Sequence, residues 1–138
     1  MNRISNRMAQ AAALLSLFAV LVVQAGCGGR DGPERYTLSG SISMSDGKPV
    51  PAGEINFEPD HLAGNSGPGS MVQIKQGKYS LSADQGVVGG KYIVTISPFD
   101  GVAFGESIQG KPLSKAQHVE NIDLPSKNST HDFKVTTK

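Results

Sequence analysis

From residue 35 onward the apolar positions of the chain alternate with polar ones. In "RYTLSGSISM", Tyr36, Leu38, Ile42 and Met44 occupy even positions with Gly40 in phase, and Thr37, Ser39, Ser41 and Ser43 fall between them. An extended chain sends successive side chains to opposite faces, so a period of two over this stretch predicts a strand with one buried face. Asp46-Gly47 then supplies the backbone angles of a tight hairpin. "GEINFEP" sets Ile55 and Phe57 against Glu54, Asn56 and Glu58, a second strand closed by Pro59. Beyond the Gly-, Asn- and Pro-rich stretch from Asp60 to Gly69, Val72 and Ile74 lead through a turn at Gln76-Gly77 to Tyr79, Leu81 and Ala83, which predicts a hairpin. In "KYIVTIS", Tyr92, Val94 and Ile96 share a face and Ile93 takes the other, the pattern of a more deeply covered strand. Ile122 with Leu124, and Phe133 with Val135, close the series. Seven short strands divided by turn residues predict an all-β domain over residues 35–138, a seven-stranded antiparallel β-sandwich.

Composition agrees with this and narrows the functional classes. Seventeen Gly and eight Pro in 138 residues serve many turns, and no helical apolar period occurs outside the N-terminus. The length suits one domain, which a single cysteine could not cross-link internally. Without Arg3 and Arg7, 11 basic side chains face 12 acidic ones, so no polyanion partner is expected and nucleic acid is excluded.

The first 26 residues have a different character. Arg3 and Arg7 stand in a polar start, an apolar stretch runs from Ala11 to Val23 broken only by Ser16, and the small residues Ala25 and Gly26 follow. That is the layout of a secretory signal peptide, and its apolar part, about 20 Å long as a helix, is short for a hydrocarbon core of about 30 Å. Cys27 comes next. Ala25-Gly26-Cys27 after an apolar run resembles the lipobox of bacterial lipoproteins, with Gln24 standing where that family usually has an apolar residue. The resemblance implies cleavage between Gly26 and Cys27 and lipidation of the Cys27 thiol, palmitate being one such acyl group. A capped thiol also suits an oxidising compartment, where a free one would be reactive. Residues 28–34, "GGRDGPE", have no apolar side chain to pack and predict a flexible tether of at most about 25 Å. The implied address is the cell envelope, with a membrane partner through the lipid anchor, and Gly28 after the cysteine favours the outer membrane by analogy with lipoprotein sorting.

The sandwich also resembles a family. Gly40-Ser41-Ile42, Asp46-Gly47-Lys48-Pro49, Gly77-Lys78-Tyr79 and Gly90-Lys91-Tyr92 stand in the places of the strand starts and turn of the carboxypeptidase regulatory-like domains, which have a transthyretin-like, Ig-like fold. The match spans about sixty residues, and the section after Ser97 departs from it. The resemblance implies a scaffold or adaptor without catalysis. The related hydroxyisourate hydrolases end in Tyr-Arg-Gly-Ser, whereas this chain ends in Val135-Thr136-Thr137-Lys138.

The chemistry-bearing residues point the same way. His61, His118 and His131 lack metal-ligand spacing, so no metal and no cofactor is expected. Asp46, Asp60, Asp84, Asp100, Asp123 and Asp132 stand mostly at turns, where a carboxylate caps the backbone. No G-x-S-x-G elbow activates any serine. Tyr36, Tyr79 and Tyr92 fall in phase with buried residues and are expected in the core rather than on a sugar-binding platform. The segment from Pro98 to His118 has no strand alternation, and loops of that length tend to be functional. Phe99, Val102 and Phe104 either form a contact patch for an envelope protein or surface polysaccharide or fold over an open end of the sandwich. The expected role is that of a non-enzymatic, lipid-anchored envelope adaptor. The alternative is an envelope carrier of a small ligand or metal ion.

Overall fold

The computed structural model describes residues 32–136, and the chain from Pro33 onward is one compact unit. The described residues form eight strands, all but β7 carrying the predicted alternation: β1 (Leu38–Met44), β2 (Ala52–Pro59), β3 (Ser70–Lys75), β4 (Lys78–Leu81), β5 (Gly90–Phe99), β6 (His118–Leu124), β7 (Ser129–Thr130) and β8 (Phe133–Val135). Among the described residues the only helical piece is one 3-10 turn, His61–Ala63, capped by the Asp60 carboxylate, which accepts from the Ala63 N–H.

The strands form one curled sheet in the order β6-β5-β2-β3-β4-β1-β7, with β8 continuing beside β1. Most of the predicted apolar set lands inside, with Met44 and Val72 partly buried and Ala83, beyond the end of β4, exposed. Leu38 and Ile42 of β1, Ile55 and Phe57 of β2, Tyr92, Val94 and Ile96 of β5 and Val135 of β8 are fully buried, and Ile74, Leu81, Leu124 and Phe133 nearly so. Phe57, Tyr79 and Phe133, from β2, β4 and β8, meet with ring centroids 5.8–6.2 Å apart. These strands are not neighbours in the ladder, so the rings mark where the curl brings distant parts of the sheet face to face. Ile93 is half-buried on the other face of β5, which lies between β2 and β6 as its extra apolar residue suggests.

Two expectations are corrected. The strands number eight among the described residues, because the two-residue β7 is too short to show an alternation. The sheet is mixed, since β1 pairs in parallel with β7 (Leu38↔Ser129) and with β8 (Ile42↔Phe133). The reason is topological. The chain enters β1 and leaves β6 at the same pole of the domain, so the connection through Pro125–Asn128 starts β7 where β1 starts and sends it the same way. A period of two records which face a residue occupies, not the direction of its neighbour. Tyr36 also departs from expectation: it is only half-buried, bridged to Val87, and its hydroxyl donates to Glu34 at 3.0 Å.

Strand directions define two poles. The chain enters at the first, beside Val87 and the start of β5, where Tyr36 and Val87 exchange main-chain hydrogen bonds of 2.8 and 3.1 Å. The Asp46-Gly47 turn, the Gln76-Gly77 turn and the long segment after Phe99 lie at the other. In the Gln76-Gly77 turn both residues take positive φ (51° and 74°), which matches strand twist and fixes the β3–β4 hairpin.

Candidate functional site

The segment between β5 and β6 is built as a pinned projection. Its base is closed by main-chain bonds from Asp100 N to Lys111 O, Gly101 N to Gln109 O and Leu113 N to Pro98 O, all 2.9–3.0 Å. The Asp100 carboxylate holds the interior, accepting the N–H of Val102 at 2.9 Å and of Lys111 at 3.0 Å. Those two N–H groups, and then the Lys111 charge, hold its pKa below the ordinary carboxylate value. Gly110 is required beside it: its φ is +90°, and a Cβ there would run into the Asp100 carboxylate and the Val102 main chain. At the tip, Phe104 and Ser107 exchange two main-chain bonds of 3.0 Å, and the Ser107 hydroxyl donates to Gly110 O.

This frame turns apolar side chains outward. Val102, Phe104 and Ile108 are 67%, 62% and 83% exposed. The Lys111 ammonium sits 4.2 Å from the Phe104 ring centroid, a cation–π contact that restrains the ring while leaving it at the surface. Of the three predicted contact residues, Val102 and Phe104 are each exposed in the loop, whereas Phe99 is half-buried as the last residue of β5 and bridged to Pro112. Ile108 is the member that sequence reading missed. Nothing in "GESIQG" distinguishes it, because its exposure follows from the bonds that close the loop, not from a period.

The histidines do not converge. His61 lies in the 3-10 turn with Nδ1 3.0 Å from the Asn65 carbonyl oxygen. His118 opens β6, its buried Nε2 3.6 Å from Glu120 and without a hydrogen-bond partner among the described residues. His131 packs on Phe133, ring centroids 4.7 Å apart. Among the described residues no group of three His, Cys, Asp or Glu side chains is placed to hold a metal ion, and no helix is long and apolar enough to cross a membrane. Tyr79 and Tyr92 are buried, as their phase predicts. The Tyr79 hydroxyl donates to His131 O at 2.7 Å and the Tyr92 hydroxyl accepts the Val88 N–H at 2.9 Å, so both serve the fold. Burial, then the Asp132 charge, pushes the Tyr79 pKa well above that of a free phenol.

Asp132 is tied down in the same way as Asp100. It accepts from the Ser41 N–H at 2.7 Å and the Ser41 hydroxyl at 2.8 Å, which lowers its pKa and bridges the gap between β7 and β8 beside β1. The leader, the Gly26–Cys27 cleavage site, Cys27 and the first part of the tether lie outside the described residues. No family model, curated protein or solved structure matches the chain.

Proposed function

We propose that this protein is a non-catalytic adaptor of the cell envelope, held to a membrane by lipid on Cys27, in which a transthyretin-like sandwich presents the loop between β5 and β6 to a protein partner. The observation that carries the reading is the pairing of a braced frame with an outward apolar tip: Val102, Phe104 and Ile108 stand exposed on a loop pinned through Asp100. A rigid, exposed aromatic contributes contact area at small cost in conformational entropy, which suits recognition. The loop lies at the pole opposite the one where the chain enters the domain. The two-layer sandwich is supported by the meeting of Phe57, Tyr79 and Phe133 and by the single rung, Lys75↔Lys78, that joins β3 to β4. The envelope address is supported by the signal-like leader and by Ala25-Gly26-Cys27.

Two measurements test the two halves of the proposal. Cells fed radioactive palmitate should label the native chain and not the Cys27→Ser variant, and equal labelling of both removes the anchor. Crosslinking from position 104 in intact envelopes should trap one discrete protein, and a Phe104→Ser, Ile108→Ser chain should lose that partner in pull-downs. Recovery of the same protein by both chains removes the loop from the reading.

A further inference from the structure

The sheet has a seam. β3 and β4 share only the Lys75↔Lys78 rung at their hairpin, after which β3 follows β2 and β4 follows β1. Between them opens a cleft of about 750 Å³ whose lining includes Ser39, Met71, Gln73, Lys75, Lys78 and Ser80. The hydrogen-bond phase of each wall can be read from its flanking bonds. Gln76 N donates to Pro51 O, so the alternate residues Ile74, Val72 and Ser70 turn their main chain toward β2. That leaves the N–H and C=O of Met71 and Gln73 directed into the cleft. On the other wall Ile42 N donates to Gly77 O, which sets Tyr79 and Leu81 toward β1 and Ser80 toward the cleft.

We propose that this seam is a strand-addition site whose occupant is an extended, acidic segment of a partner polypeptide. Main-chain groups on an unpaired edge take up an incoming strand through backbone hydrogen bonds, and side chains beside the edge select its sequence. Lys75 and Lys78 stand exposed at the closed end, and among the described residues no carboxylate lines the cleft. Asp132, behind Ser41, is committed to the Ser41 N–H and hydroxyl. The same two lysines disfavour a second copy, which would bring its own pair against them. Met71, 60% exposed on β3, offers an apolar contact to a side chain of the added strand. The site is distinct from the loop between β5 and β6 and does not depend on that loop binding anything.

The test uses the full chain, labelled with ¹⁵N, and a capped octapeptide alternating valine with glutamate. The peptide should shift the amides of Met71, Gln73 and Ser80 saturably and slow hydrogen exchange at Met71 and Gln73. Gln73→Pro removes one cleft-facing N–H without touching a bond to β2 and should weaken binding by about tenfold. The double variant Lys75→Glu, Lys78→Glu should instead prefer the lysine version of the peptide, and Phe104→Ser should bind as the native chain does. The proposal is overturned by shifts centred on β6 or on residues 100–117, by the absence of saturation, or by binding indifferent to Gln73→Pro and to charge reversal. Protection of the same amides by dimerisation without peptide also overturns it, since the occupant would then be a second copy.

Discussion

Phe57 and Phe133 lie on β2 and β8, which share no ladder, yet their ring centroids are 6.2 Å apart. If the sheet curls so that these faces meet, the two rings must be energetically coupled. Replacing Phe57, which is fully buried, by Leu leaves an aliphatic side chain of related bulk and costs at most about 1.5 kcal/mol through imperfect packing. Loss of ring–ring geometry adds about 0.5–1.5 kcal/mol. Each single variant is therefore expected to lose at most about 3 kcal/mol, within a total stability of about 5–15 kcal/mol for a domain of this size. The Phe57–Phe133 contact is removed in both singles, so the double variant should be more stable than their sum predicts by about 0.5–1.5 kcal/mol. Urea unfolding at 25 °C, followed by far-ultraviolet circular dichroism and by tyrosine fluorescence, measures all four corners of the cycle. Equal m-values would show that every variant unfolds the same surface. Strict additivity, within about 0.3 kcal/mol, would refute the facing of β2 and β8 and with it the closure of the curl.

Three further outcomes are expected. A Cβ at Gly40 would run into the His131 carbonyl oxygen, so Gly40→Ala should destabilise by about 3 kcal/mol or more in urea and break the bond from Tyr79 to His131, and a neutral result would mean that β1 and the β7–β8 junction do not approach so closely. Asp100 and Asp132 have folded-state pKa values below their ordinary 3.8, so the stability they contribute is present above that value and is lost as pH falls through the folded pKa; amide shifts of Val102, Lys111 and Ser41 should move with midpoints below 3.8, and midpoints at or above it would contradict the carboxylate caps. Phe104→Ser combined with Ile108→Ser should change stability by no more than about 0.5 kcal/mol per site, because both side chains are exposed, and a larger loss in urea would place them in the fold rather than at a contact surface.

Sequence alone determined much of this protein's fold. Alternation in β1, β2 and β5 named the buried face residue by residue, and Asp46-Gly47 and Gln76-Gly77 marked two turns, because side-chain direction and turn dihedrals are local properties of an extended chain. Strand direction and partner were not local. The parallel pairing of β7 and β8 with β1 depends on which pole each strand leaves, and β7, two residues long, carries no period at all. The candidate sites divide in the same way. Val102 and Phe104 stood out as apolar residues in a long segment, whereas the outward turn of Ile108 and the departure of Phe99 to the end of β5 were decided by the bonds through Asp100, Gln109 and Pro98. The seam between β3 and β4 left no trace in the sequence, where the two strands read as an ordinary hairpin. It exists because each pairs with a different neighbour after one shared rung, and the choice of neighbour is settled only when the core closes.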